Sequence, residues 1–139
     1  MKSKAVWKGG MAFTGTANDS FLIPMDADKS VGGQDMGFRP LQLLAIGLVG
    51  CTGMDVISIL KKKRQKVTEF TVTADIQRAD QHPKVFTKIL LTYTLTGKDI
   101  SPQAVERAVE LSETRYCGAQ AMLAKTADVS HEIIIQEAD

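Results

Sequence analysis

A long apolar run is the feature that most constrains the fold of this 139-residue chain. It covers residues 41–60, follows Arg39-Pro40 and ends in four basic residues at 61–64. Proline is tolerated in the first turn of a helix and disfavours helix before it, and cations at a helix C-terminus complement the macrodipole. We therefore predict one helix over residues 40–64 that is apolar on nearly all sides.

The run is also long enough to span a bilayer, so two interpretations compete. It contains the polar residues Gln42, Asp55 and Ser58. A carboxylate in the bilayer core is costly, and no other segment would build a bundle around it. A helix that is apolar all round is also typical of the centre of a soluble domain. We favour the soluble core helix and expect no membrane association.

Alternating patterns predict strands on both sides of this helix. Short stretches at residues 5–7, 11–17 and 21–23, separated by turn residues, indicate an antiparallel meander. Residues 68–78 and 85–96 alternate cleanly and predict a hairpin.

Ser101-Pro102 opens a second helix, and residues 128–136 alternate as a last strand with His131 on its apolar face, as a core histidine. The order β-β-β-α-β-β-α-(α)-β indicates one α+β domain over residues 1–139, with antiparallel sheets around two long helices.

Charge and cysteine content narrow the function classes. The 17 basic and 16 acidic residues nearly cancel, which argues against a nucleic-acid partner. No apolar signal segment follows the first lysines, and two cysteines without a secretion signal indicate a reducing compartment. We expect a cytoplasmic protein.

Cys51 lies within the apolar run, close to Gly47, Gly50 and Gly53. A free cysteine there is either a small buried hydrophobe or a reactive thiol. Each helical glycine costs about 1 kcal/mol relative to alanine, so three glycines call for close packing or an open surface around the thiol. Asp55 is expected to pair with a cation and would raise, not lower, a thiol pKa.

Cys117 lies where the second helical pattern breaks, after Arg115 and Tyr116 and before Gly118. If a helix restarts there, its N-terminus and Arg115 would lower the thiol pKa. The alternative is a half-buried cysteine on a continuous helix. Neither histidine has metal-ligand spacing to a cysteine, so we expect no metal and no cofactor.

Several short motifs together resemble the OsmC/Ohr family of hydroperoxide-reducing thiol proteins, closest to its OsmC-like branch. The matching residues, which extend over nearly the whole chain, are Trp7-Lys8-Gly9-Gly10, Arg39-Pro40-Leu41-Gln42-Leu43-Leu44-Ala45, Gly50-Cys51-Thr52-Gly53-Met54-Asp55-Val56, His82-Pro83, Leu111-Ser112 and Tyr116-Cys117.

The resemblance implies an intertwined α+β homodimer with two active sites at the subunit interface and its long helices back to back. It also implies that Cys51 is the peroxidatic nucleophile and that Cys117 resolves its sulfenic acid as a disulfide. The implied substrate is a small hydroperoxide, and the implied reductant is an external thiol.

The chain departs from the family pattern at the charged pair that activates the nucleophile. No arginine precedes Arg39, Met11 occupies the place after Gly9-Gly10, and the glutamate position falls on Leu41 or Gln42. Arg39 is the remaining candidate for the charge. We take Arg39, Gln42 and Tyr116 as candidate substrate-binding residues.

Two hypotheses follow. The first is a thiol-dependent hydroperoxide reductase in oxidative-stress defence, with Cys51 attacking and Cys117 resolving. The second is a redox-sensing or small-molecule-binding dimer of the same fold with weak or no peroxidase activity, since the usual activating pair is absent.

Overall fold

The computed structural model of the protein describes residues 1–139 and has the predicted α+β order of elements. The elements are β1 (Ser3–Gly9), β2 (Ala12–Ala17), β3 (Leu22–Met25), α1 (Pro40–Lys62), β4 (Lys66–Arg78), β5 (Phe86–Lys98), α2 (Pro102–Leu111), a π-helical turn (Ser112–Tyr116), α3 (Gly118–Leu123) and β6 (Asp128–Glu137). The predicted α+β class is confirmed. It could be predicted because strands and helices have distinct periodicities in the sequence.

The chain forms two compact units, residues 1–46 and 47–139, and α1 begins in the first and ends in the second. In the first unit, β1, β2 and β3 form the predicted antiparallel meander. The loop after β3 closes on the buried carboxylate of Asp26, which accepts the backbone N–H groups of Ala27, Gln34 and Met36 at 2.7, 3.1 and 3.2 Å. These bonds, that from Ala27 first, lower the pKa of Asp26.

The second unit contains a three-stranded sheet in the order β4-β5-β6. The β4–β5 pair is the predicted antiparallel hairpin, and Phe70 lies opposite Leu95 in it. The prediction of antiparallel sheets is wrong for β6, which runs parallel to β5 with Ile133 opposite Tyr93. The helical segment between them carries the chain back along the sheet, which is the connection that parallel strands require.

The core of the second unit is built from one face each of α1, β5 and α2. Its buried residues are Leu48, Val56 and Leu60 of α1, Ile89, Leu91, Tyr93 and Leu95 of β5, and Val105, Ala108 and Val109 of α2. In α1 the buried positions recur every fourth residue, so they form a single stripe. Apolar residues elsewhere on α1 stay exposed in the single chain, including Leu44 and Met54.

Ser101 caps α2 as predicted, since its Oγ accepts the N–H of Ala104 at 3.3 Å. After 10 residues, α2 widens into the π-helical turn, which ends at Tyr116, directly before the predicted break at Cys117. By its length and apolar composition alone, α1 would also be able to cross a bilayer.

Candidate active site

Cys51 and Asp55 are one helical turn apart on α1, and both are half-buried. Residues four apart lie on the same side of a helix, so the thiol and the carboxylate share one side of α1. A Cβ at Gly50 would meet no atom within 4 Å, whereas one at Gly53 would lie 3.4 Å from Val72 Cγ2. Both predicted reasons for the glycines therefore occur, an open surface beside the thiol and close packing on β4.

Cys117 is the N-cap of α3, at the break between the π-helical turn and that helix. Its backbone leaves the helical region (φ −79°, ψ 100°), and its Sγ accepts the N–H of Gln120 at 3.3 Å. The side chain is buried, with 3% exposure. The predicted break at this cysteine is confirmed, and the alternative of a continuous helix is wrong. Insertions of a π-helical turn are frequent at functional sites.

The two thiols and the carboxylate meet in one cluster. Cys51 Sγ, Cys117 Sγ and an oxygen of Asp55 all lie within 4.8 Å of one another, and both cysteines are free thiols. A disulfide requires a sulfur–sulfur distance of about 2.05 Å, so the thiols are neighbours that must move closer to bond. The same three atoms are also a potential metal-ligand set.

A chain of buried hydroxyl groups ends on Asp55. Ser112 Oγ donates to Asp55 Oδ2 at 3.0 Å, and Thr52 Oγ1 lies 2.8 Å from Ser112 Oγ and 2.7 Å from Tyr93 Oη. Because the Ser112 proton points to the carboxylate, Ser112 accepts from Thr52, and Thr52 accepts from Tyr93. This row of hydrogen-bonded hydroxyl groups therefore links β5, α1 and the π-helical turn to the thiol cluster. All three hydroxyl residues are fully buried.

The environment of Cys117 keeps its thiol protonated. Burial raises the pKa of Cys117 to about 11, and the neighbouring Cys51 and the negative charge of Asp55 add to the rise, against the hydrogen bond from Gln120. The prediction that Arg115 and a helix N-terminus would lower this pKa is wrong. The Arg115 guanidinium instead lies 5.5 Å from the ring centre of Tyr116. Burial likewise raises the pKa of Tyr93.

Asp55 does not have the cation partner that its sequence position suggested. It takes part in none of the ion pairs of the structure, and its hydrogen-bond partner is the Ser112 hydroxyl. The prediction that His131 is a core residue is also wrong. Its side chain is 38% exposed, with Nδ1 3.7 Å from Glu113 and the ring edge-on to Tyr93 at 6.3 Å.

Two of the three candidate substrate-binding residues make contacts within the first unit, and the third is exposed next to Cys117 in the sequence. Arg39 pairs with Asp35 at 2.8 Å and with Asp28 at 3.8 Å. Gln42 Oε1 accepts the backbone N–H of Arg39 at 2.9 Å, which is half of a capping box at the start of α1. Both side chains are thus engaged within the first unit. Tyr116 adjoins Cys117 in the chain, and its side chain is exposed.

Sequence reasoning noted Asp55 but missed Thr52, Ser112 and Tyr93 as site residues. One signal was available for Thr52. It falls on the stripe formed by Leu48, Val56 and Leu60, where a polar residue needs a buried partner. The partners themselves lie 41 and 60 residues away in the sequence, and no local pattern identifies them.

Fold and site together define an α+β protein with two thiols in one cluster, and comparisons with known proteins identify its family. The family model described as OsmC-like protein matches residues 32–132. The chain is 34% identical to Protein YhfA of Escherichia coli K12 over 131 residues, which cover 94% of this chain and 95% of YhfA.

Solved structures share the fold over almost the whole chain. A hypothetical protein from Aquifex aeolicus VF5 is 25% identical with a TM-score of 0.86, covering 99% of this chain and 97% of that one. An organic hydroperoxide resistance protein OsmC from Legionella pneumophila is 18% identical with a TM-score of 0.72, covering 96% of this chain and 95% of that one.

The chain belongs to the OsmC-like protein family, and the resemblance noted in the sequence is confirmed. The match includes all of α1, which is therefore a helix of the soluble OsmC-like fold. Members of the OsmC/Ohr family are typically homodimers.

Proposed function

We propose that this protein is a thiol-dependent hydroperoxide reductase in which Cys51 attacks the peroxide and Cys117 resolves the product. The proximity of the two sulfurs, within 4.8 Å, carries the proposal. Their unequal exposure supports these roles, because Cys51 is half-buried beside the open position of Gly50, whereas Cys117 is buried. The substrate class is suggested by the Legionella neighbour, an organic hydroperoxide resistance protein.

The chemistry requires only the two thiols and an external reductant. The Cys51 thiolate attacks one peroxide oxygen, the O–O bond breaks, and an alkoxide leaves and is protonated to the alcohol. The Cys117 thiol then attacks the sulfur of the Cys51 sulfenic acid, and water leaves as the disulfide forms. A dithiol reductant restores both thiols by exchange and is itself oxidised to a disulfide.

Asp55 is the group in this site that can carry the protons. Its carboxylate lies within 4.8 Å of both sulfurs, a separation that one bridging water can span, so we propose that it accepts the Cys51 proton through such a water and returns it to the departing alkoxide. In the second step it accepts the Cys117 proton and delivers it to the departing hydroxide. The hydroxyl chain from Tyr93 orients the carboxylate through Ser112.

We infer a homodimer with an active site near each subunit interface, since apolar residues of α1 such as Ile46 and Met54 are exposed in the single chain. Tyr116 is proposed to contact the organic part of the substrate, and Arg39 and Gln42 remain candidates for its polar part. The proposed location is the cytoplasm.

The decisive experiment follows peroxide consumption with dithiothreitol as reductant. Wild-type protein is expected to turn over cumene hydroperoxide and to lose two thiols per chain on oxidation. Cys51→Ser should be inactive, and Cys117→Ser should react once to a sulfenic acid that dimedone traps. No turnover of either cumene hydroperoxide or hydrogen peroxide by the wild type would refute the proposal.

One observation favours a second function, a redox-sensing or small-molecule-binding dimer with little peroxidase activity. The thiol cluster contains a carboxylate but no paired cation, and the pKa of Cys117 is raised to about 11. A resolving thiol that is held protonated attacks a sulfenic acid slowly, because the thiolate is the nucleophile. This alternative predicts a disulfide that forms over many minutes and is not turned over at a useful rate by dithiothreitol.

A further inference from the structure

We propose that the reduced thiol cluster is a binding site for a soft divalent cation such as Zn²⁺, held by Cys51, Asp55 and Cys117. Their donor atoms lie within 4.8 Å of one another, although they come from two separate elements. Around one tetrahedral zinc ion, two thiolate sulfurs at about 2.3 Å from the metal are about 3.8 Å apart. Side-chain adjustment within the cluster is enough to reach that geometry.

The donor set selects the kind of metal. Two thiolates with one carboxylate suit zinc and its soft relatives, whereas magnesium and calcium prefer sites made entirely of oxygen. Three protein ligands leave a fourth position for water, which is typical of zinc sites that remain open to exchange. Cys51 and Asp55 are half-buried, so the site opens to the surface on the α1 side.

The ligands are oriented as metal ligands usually are. Ser112 Oγ donates to Asp55 Oδ2 at 3.0 Å, and the N–H of Gln120 donates to Cys117 Sγ at 3.3 Å. Such outer contacts hold ligands in place and strengthen binding. The charge also fits, because Asp55 has no cationic partner and the metal would supply the positive charge that the cluster lacks.

Binding is a simple exchange of protons for metal. Each thiol releases its proton to solvent as a sulfur–metal bond forms, so one cation displaces two protons. The bound thiolates can neither attack a peroxide nor pair as a disulfide. The cation would therefore protect the reduced cluster from oxidation.

The inference shares the two thiols with the proposed peroxidase but does not depend on their reaction with peroxide. The test uses reduced, chelator-treated, full-length protein without oxygen, titrated with Co²⁺ and then with Zn²⁺. One Co²⁺ per chain should bind with a thiolate charge-transfer band and a tetrahedral ligand-field spectrum, and Zn²⁺ should displace it. X-ray absorption of the wild-type zinc form should give two sulfur neighbours.

Matched variants separate this site from adventitious binding. Asp55→Asn should weaken Zn²⁺ binding at least about 10-fold and Ser112→Ala about 10- to 100-fold, while Asp75→Asn on the exposed side of β4 should bind as the wild type does. Binding below one metal per chain, or a spectrum without thiolate bands, would overturn the proposal. So would equal affinity of the Asp55 and Asp75 variants. A protein that binds zinc but reduces no peroxide would refute only the proposed peroxidase.

Discussion

The pKa of the Cys117 thiol is set by the groups around it in the folded protein and not by its neighbours in the sequence. Arg115 is two residues away and a helix begins at the next residue, and both features predict a lowered thiol pKa. In the structure, the arginine lies over the Tyr116 ring and the thiol is buried beside Cys51 and a carboxylate. Desolvation therefore prevails over the local electrostatic effects.

The first prediction concerns this thiol. In Cys51→Ser protein, the thiolate absorbance of Cys117 should appear only well above the ordinary thiol value of 9.0, because burial still disfavours the charged form. Adding Asp55→Asn should lower the pKa, since a negative charge beside the thiol is removed. Asp75→Asn is the matched control and should leave it unchanged. A Cys117 pKa at or below 9.0 in the Cys51→Ser protein would contradict this environment.

The helices and strands that follow a regular hydrophobic pattern could be predicted from the sequence. The strands β4 and β5 alternate strictly, and α1 begins at a proline and ends near a basic run, so their bounds were predictable within about two residues. The direction of β6 was not, because an alternating strand looks the same in either orientation. The hydrogen bonds of Thr52 with Tyr93 and Ser112 could not be predicted either, because they depend on how α1, β5 and the π-helical turn pack together.

The second prediction tests the hydroxyl chain as a link between these elements. Thr52→Val keeps the shape but leaves the Tyr93 hydroxyl buried without its acceptor, so it should lower the free energy of unfolding by about 1–3 kcal/mol. Tyr93→Phe removes the other partner. The double variant should lose less than the sum of the two, with a coupling of about 0.5–3 kcal/mol in urea unfolding. Strict additivity would show that the two hydroxyls do not interact.

The reduced protein as a whole should become less stable at alkaline pH. The native chain holds the Cys117 proton to a pKa of about 11, above the ordinary thiol value of 9.0 that applies to the unfolded chain. Between these values the unfolded chain binds fewer protons, so stability is fully present below pH 9 and falls as pH rises through 11.

The third prediction concerns this loss of stability with rising pH. Between pH 8 and pH 11, wild-type protein in a phosphine reductant should lose stability more steeply than Cys117→Ala, by on the order of 2 kcal/mol. Urea midpoints over the pH series measure this difference. Burial is the main cause of the raised pKa of Tyr93 and does not depend on the Cys117 charge, so most of the Tyr93 contribution should cancel between the two proteins. Parallel curves for the two proteins would mean that Cys117 titrates as an exposed thiol.

The last prediction concerns the proposed homodimer. Only a stripe of α1 is buried within the chain, and Met54 is 73% exposed on a helix that is apolar nearly all round. A partner chain that covers this face would explain why such a surface is tolerated, since large exposed apolar patches mark interaction sites. Wild-type protein should therefore have twice the 15.1 kDa chain mass by light scattering.

Met54→Glu should shift the protein towards a single chain, because the new carboxylate would have to be buried unpaired. Gln103→Glu adds the same charge at an exposed position of α2 and should remain dimeric. A single-chain mass for the wild type would contradict the dimer, and an unchanged dimer of Met54→Glu would contradict an interface on this part of α1.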